Sequence, residues 1–203
     1  EVVAVFGAYD DRPAAPGIVS RYRNLLHHYV HASHPGEAST FWAGCGAVRR
    51  AAFLAAGGFD AAHYVHPSIE DIELGYRLRR AGGTILLVPA IQGTHLKRWT
   101  LGRMIHTDVF RRALPWGRLL QHPGHSGAVL NVSNAERLKA LIAGLFFAAL
   151  FLGLVHLPFL GAAAALLFVA TLVSWPFYAV VLRSAGFVTA AAAVLLHQLY
   201  FVY

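Results

Sequence analysis

The hydrophobic pattern of this chain changes period along its length, from short unbroken runs to helical spacing and then to long apolar stretches. Residues 2–6, VVAVF, form an apolar run bounded by Gly7, which predicts a strand in the interior of an α/β sheet. Residues 10–17 carry the Asp, Pro and Gly of a loop. Beyond them Tyr22, Leu25, Leu26, Tyr29 and Val30 recur at helical spacing, with Ser20 as the predicted cap. Residues 40–47 read as a strand running into a glycine turn, and residues 49–56 as a short helix stopped by Gly57 and Gly58. Ser68 then caps a predicted helix over residues 69–80, closed by Gly82 and Gly83, and residues 84–89, TILLVP, give another strand of the same sheet.

Residues 96–120 alternate differently. Trp99, Leu101, Met104, Ile105, Phe110 and Trp116 interleave with Lys97, Arg98, Arg103, Arg111 and Arg112, which predicts one amphipathic helix lying in a membrane interface. From Arg137 onward the polar positions nearly vanish, leaving apolar runs at about 140–158, 161–182 and 186–203. Each is close to the ~20 residues that a spanning helix needs. The expected organisation is therefore an α/β part over 1–95, an interfacial segment over 96–136 and a multi-pass membrane region over 137–203. Arg137 and Lys139 precede the first run and Arg183 follows the second, whereas the link LPFLG is uncharged. The positive-inside rule then puts the α/β part on the cytoplasmic side, of the inner membrane in a bacterium.

Composition supports the membrane reading, since 57% of residues are hydrophobic and 13% charged. Lys and Arg number 17 against 10 Asp and Glu, a balance suited to anionic lipid or a phosphorylated substrate. The basic residues flank apolar segments without any nucleic-acid-binding motif, so nucleic acid is not expected as a partner. Cys45 is the single cysteine, which rules out an intrachain disulfide and makes this residue a small apolar filler of a turn.

Candidate chemistry concentrates between residues 41 and 78. Gly44 and Gly46 in AGCGAVRR permit close approach of a ligand to the backbone, and Arg49 brings a guanidinium suited to phosphate or carboxylate. Glu70 and Asp71 open the next helix, where the dipole favours negative charge. Adjacent helical positions point about 100° apart, so one carboxylate can face a cleft while the other braces it. Asp10 and Asp11 sit in turn composition and read as a solvated loop. His27 and His31, at i and i+4, can form a zinc pair, but without a carboxylate in reach the preferred reading is a polar face beside the acceptor entrance.

A glycine turn with an arginine (Gly44 to Arg49), then GGFD (Gly57 to Asp60), then ED-x-EL-x-x-RL-x-x-x-G (Glu70 to Gly82) resembles the acceptor-side half of inverting family-2 glycosyltransferases with a GT-A fold. The resemblance covers roughly residues 1–120. It implies a partial GT-A sheet, a nucleotide-sugar donor, a lipid or glycan acceptor, and Asp71 as general base supported by Glu70. Gly44, Cys45, Gly46 and Arg49 would cradle the substrates. Gln92 with Arg98 and Trp99 is similar to the Q-x-x-RW element of processive members, at the longer spacing Q-x5-RW, and Lys97 lies within it. His95 matches a late histidine near the metal or diphosphate in such enzymes. A divalent cation, Mg or Mn, would be held mostly by a nucleotide-binding half with a DxD-type motif, which these residues do not contain, so the chain reads as the later part of a longer enzyme of cell-envelope glycan synthesis. The competing reading is a non-catalytic membrane anchor or assembly subunit, in which the acidic helix is merely capped and salt-bridged.

Overall fold

The first apolar run forms strand β1 (Val2–Tyr9) in the computed structural model, which describes residues 1–121 and 133–203. Its neighbours are β4 (Thr84–Gly93), parallel to it, and β3 (Gly46–Val48), antiparallel; β2 (Gly36–Ala38) adds to the far side of β4, giving the order β2-β4-β1-β3. Ala4 and Phe6 of β1 and Ile85 and Leu87 of β4 are buried together, following the period of two expected of a strand. The short β2 has no apolar pattern of its own and is held by pairing of Gly36 with Leu87 and Ala38 with Ile85.

Helix α1 (Ile18–Ala32) follows β1, and α2 (Arg50–Ala55) and α3 (Glu70–Arg80) follow the glycine turn. Leu74 and Leu78 of α3 seal the sheet core with Phe41. The close approach runs through Gly75, where an added Cβ would stand 2.3 Å from the Phe41 nitrogen. Acidic Glu70, Asp71 and Glu73 occupy the first turn of α3 and Arg77, Arg79 and Arg80 the last, the order that the helix dipole favours.

Several local expectations are corrected. Ser20 does not cap α1, which begins at Ile18 after Gly17. Its hydroxyl instead exchanges hydrogen bonds with the Trp99 backbone, accepting from the amide at 2.9 Å and donating to the carbonyl at 3.2 Å. Ser68 does not cap α3 either, because Ile69 holds the cap position and the Ser68 hydroxyl donates to the Arg111 carbonyl at 2.6 Å. Residues 40–47 are not one strand, since a 3-10 turn over Ala43–Cys45 precedes the short β3.

The basic segment is not one helix from residue 96. Residues 94–100 are non-helical, α4 (Leu101–Asp108) begins after a Thr100 cap, a π-helical turn spans Val109–Ala113, and α5 (Leu114–Leu120) follows. Trp99 and Met104 pack with Tyr22 and Leu25 of α1, and Leu119 packs with Tyr76 of α3 and its cap residue Ile69. The apolar face of this segment is thus largely covered by protein, while Leu101, Phe110 and Leu114 stay exposed.

The C-terminal layer contains α6 (Asn134–Leu152), α7 (Pro158–Val173) and α8 (Trp175–Val202). The expected break near residues 183–186 survives as a kink at Gly186 inside α8, with φ 79°, and the chain breaks earlier at Ser174, ahead of Pro176 in the first turn of α8. Among the described residues α8 is the one helix long and apolar enough to cross a membrane; α7 is apolar but shorter. Apolar side chains are nevertheless exposed along all three helices, among them Leu141, Phe151, Phe168, Leu172, Phe187 and Leu195. Tyr22 of α1 and Phe177, Tyr178 and Val181 of α8 share one core, so this layer is continuous with the α/β part.

Candidate active site

The start of α3 and the glycine turn are joined through Asp71. Its Oδ2 accepts the Ala43 amide at 3.0 Å and its Oδ1 accepts the Ile72 amide at 2.8 Å. Glu70 turns the other way, accepting the Ser68 amide at 2.6 Å and shaping the loop that enters α3. The acidic pair diverges as its adjacent positions require. Burial pushes the Asp71 carboxyl above the ordinary carboxylate value, against the lowering effect of the Ala43 and Ile72 amides, and the charge on Glu70 adds to the rise. A carboxylate with this kind of perturbation on a cavity wall is a candidate proton acceptor.

The cavity has a volume of about 490 Å³ and is walled by α1, the residues around the glycine turn, the start of α3, the π-turn and α5, with α6 and the end of α8 closing it. That is the size of a small-ligand site. His27 and His31 of α1 line it beside Asp71 and Trp42. Both histidines are held neutral: burial and the charges of Arg23 and Arg112 press His27 well below its usual value, and burial with Arg112 lowers His31 to about 4. The polar face expected on α1 therefore faces a cavity and not bulk solvent.

Gly44 and Gly46 serve their own chain. A Cβ on Gly44 would lie 2.4 Å from the Trp42 ring, and one on Gly46 would lie 2.6 Å from the Trp42 carbonyl oxygen and 2.7 Å from the Phe41 ring. Neither has a positive φ. The turn is thus thinned so that Trp42 can lie over it, with the indole edge-on to Tyr9 at 4.6 Å and tilted on His31 at 4.8 Å. Cys45 is half-buried beside Tyr9 and Gly93. Arg49 points to the other end of β1, where it donates to the Val2 carbonyl at 2.7 Å and pairs with Glu1 at 3.1 Å, away from Asp71.

The remaining sequence-predicted residues lie at the end of β4 and beyond it. Gln92 is exposed opposite Ala8 of β1, Arg98 is exposed, and Lys97 places its ammonium 4.0 Å from the centre of the Trp99 ring. Trp99 itself is 5% exposed and belongs to the core between α1 and α8. His95 is buried edge-on to Tyr9 at 4.4 Å and parallel to His27 at 6.5 Å. Burial and Lys97 lower it to about 4. Its Nδ1 has no hydrogen-bond partner among the described residues, and no group of His, Cys, Asp or Glu among them forms a metal donor set. A cation therefore does not fit the described residues unaided.

Sequence reasoning missed the charged floor of the cavity. Arg23 of α1 and Asp108 of α4 form a buried pair at 2.5 Å, Tyr203 donates to the same carboxylate at 3.1 Å, and Arg112 approaches it at 3.8 Å. Only the i, i+4 spacing of Asp108 and Arg112 is visible in the sequence. Asp10 also departs from the solvated-loop expectation: it is 7% exposed, accepts the Arg12 amide at 3.0 Å and bonds the Thr94 hydroxyl, which locks the end of β1 to β4. The arginine of the RL pair, Arg77, is structural. It pairs with Glu73 at 2.6 Å and donates to the carbonyls of Ala56 and Gly58, so α3 clamps the GGFD turn.

Comparison with known proteins agrees with an enzyme of sugar transfer. Over 71 residues, 34% of the chain, it is 38% identical to N-acetylglucosaminyl-diphospho-decaprenol L-rhamnosyltransferase of Mycobacterium tuberculosis, in strains CDC 1551 / Oshkosh and ATCC 25618 / H37Rv. The match spans 22% of the length of those relatives. No family model matches the chain, and no solved structure matches it. The similarity supports glycosyl transfer in general.

Proposed function

We propose that this chain is the acceptor-side part of a membrane-bound, inverting glycosyltransferase of family 2 with a GT-A-type sheet. It moves a sugar from a nucleotide-sugar donor to a hydroxyl of a lipid-linked acceptor. The observation that carries the reading is Asp71: a carboxylate on the wall of a ligand-sized cavity, raised above its ordinary value by burial and fixed by two backbone amides. The similar mycobacterial proteins are named for transfer of L-rhamnose to a sugar on diphospho-decaprenol, which favours a lipid-linked acceptor here.

In this reading Asp71 accepts the proton of the acceptor hydroxyl as that oxygen bonds to the anomeric carbon. The bond from that carbon to the diphosphate breaks on the opposite face, the nucleoside diphosphate leaves with the electron pair, and the sugar configuration inverts. Glu70 acts indirectly, holding the Ser68 loop that frames the cavity. A divalent cation belongs to this reading with ligands from outside the described residues, supplying charge stabilisation to the leaving diphosphate. The exposed apolar residues of α6, α7 and α8 sit in the bilayer as a multi-pass anchor, with the sheet on the cytoplasmic side.

Asp71→Asn in the complete enzyme is the test, because the amide keeps the shape and one acceptor oxygen but cannot take up the proton. A loss of about 10²- to 10⁴-fold in transfer with unchanged secondary structure is expected. Turnover within a few-fold of the parent would refute the assignment and favour an anchor or assembly role.

A further inference from the structure

The cavity in front of Asp71 sets two guanidiniums against one shared carboxylate. Arg23 and Arg112 share the single carboxylate of Asp108, at 2.5 and 3.8 Å, and Tyr203 occupies part of that group as well. Arg23 is 3% exposed, and its Nε has no partner among the described residues. Arg112 also reaches Nε2 of neutral His27 at 3.1 Å, an acceptor without charge. Burial and Arg23 bring Arg112 down to about 10, which leaves it cationic at neutral pH. Arg137 adds a third guanidinium to the lining. Of the other acids facing the cavity, Glu136 is paired with Lys139 at 2.6 Å, while Asp71, held by two backbone amides, acts on Arg112 through its field without a direct hydrogen bond.

A guanidinium with unused donors in a concave, partly dry site is stabilised when an anion completes it, and the planar fork matches phosphate oxygens. Arg112 lies in the π-helical turn, a distortion often found at functional sites. Leu26, Val30, Trp116, Leu120, Ala140 and Phe201 give the wall an apolar part as well. The site suits a ligand with an anionic head and a hydrocarbon body. We propose that Arg112, backed by Arg23 and with Arg137 alongside, binds the diphosphate of a prenyl-diphosphate-linked acceptor, whose first isoprene units lie on the apolar wall. This rests on the reading of the Asp71 cavity as the acceptor site, and it adds the residues that hold the acceptor's phosphates.

The test is direct binding by the full chain in detergent micelles, read from the fluorescence of Trp42 and Trp116, both of which line the cavity. Farnesyl diphosphate should bind saturably, farnesol should not, and inorganic diphosphate should bind more weakly than farnesyl diphosphate. Arg112→Gln should weaken farnesyl diphosphate at least tenfold with little change in melting temperature, and exposed Arg118→Gln should leave it unchanged. If Arg112→Gln does not fold, Arg112→Lys, which keeps the charge but loses the fork, should still weaken binding several-fold. Asp71→Asn should bind farnesyl diphosphate as well as the parent or better, so failure of the base assignment is separable from failure of the anion site. Equal binding of farnesol, or full affinity in both Arg112 variants, overturns the proposal. A nucleoside diphosphate that displaces farnesyl diphosphate at lower concentration, with the same Arg112 dependence, overturns the lipid assignment and gives the site to the donor.

Discussion

The Ala43 amide donates to the Asp71 carboxylate at 3.0 Å across 28 residues of sequence, so the glycine turn and the acidic helix form one unit. The carboxylate that faces the cavity is also the strut that holds the turn, and its ionisation couples chemistry to stability. Burial raises the Asp71 value in the folded state above that of the unfolded chain. The native protein therefore binds this proton more tightly, and the Asp71 contribution is fully present below about pH 3.9, the unfolded value, and lost as pH rises through the folded value. Asp71→Asn should remove that fall from a plot of melting temperature against pH. The lost backbone bond, about 1 kcal/mol because the amide accepts only one of the two, adds to this pH-dependent difference without replacing it. Difference curves between variant and parent check this, and a variant curve parallel to the parent curve would contradict it.

His31 and His95 push the other way. Each is near 4 in the folded state against about 6.5 unfolded. With depressed values, their contribution is present above pH 6.5 and is lost as pH falls toward 4. The parent should lose stability over that window, and His31→Gln should lose less of it. Thermal melts at half-unit pH steps measure the slope, and an identical slope in parent and variant would count against the buried neutral histidine.

The ED helix and the β1 and β4 strands were legible because they rest on local pattern: apolar runs, glycine stops and a charge order that the dipole favours, whereas the bond from Ala43 to Asp71 spans 28 residues and no local pattern announces it. The purpose of Gly44 and Gly46 was not legible, since their neighbour Trp42 lies flat only after Tyr9 and His31 are brought in from other elements. Arg49 looked like a site residue by its spacing, but β3 runs antiparallel to β1 and carries it to the far end of the sheet. The interfacial reading of residues 96–120 rests on interleaved tryptophan and arginine, yet no local pattern says that α1 and α8 cover Trp99 and Met104. Arg23, Asp108 and Tyr203 are far apart in sequence, and their meeting depends on the packing of α1, α4 and the end of α8.

Gly75 is the contact through which α3 meets the residues before the glycine turn. Gly75→Ala places a Cβ 2.3 Å from the Phe41 backbone nitrogen, which no side-chain rotation relieves. Overpacking of this kind costs typically about 1–3 kcal/mol. Gly102→Ala in α4 meets nothing within 4 Å and should instead stabilise by up to about 1 kcal/mol through helix propensity. Denaturant midpoints of the two variants should move in opposite directions, and a neutral Gly75→Ala would show that α3 does not sit against Phe41 as described.

Two tryptophans separate packing from lipid exposure. Trp99 is 5% exposed, with the Lys97 ammonium 4.0 Å from the centre of its ring and the α1 and α8 core around it. Trp175, at the start of α8, is 53% exposed among other exposed apolar side chains, including Leu172 and Val173 of α7. Large contiguous apolar surface is costly in water and stable in lipid, so the membrane reading requires Trp175 to touch acyl chains. In single-tryptophan variants reconstituted into bilayers, brominated lipid should quench Trp175 strongly and Trp99 weakly, while aqueous iodide should reach neither. The emission of Trp99 should already be blue-shifted in detergent and unchanged by anionic lipid or salt, since protein and not headgroups surrounds it. Quenching of Trp175 by iodide but not by brominated lipid would place the junction of α7 and α8 in water and remove α8 from the bilayer. Strong quenching of Trp99 by brominated lipid would restore a flat interfacial helix in place of the packed one.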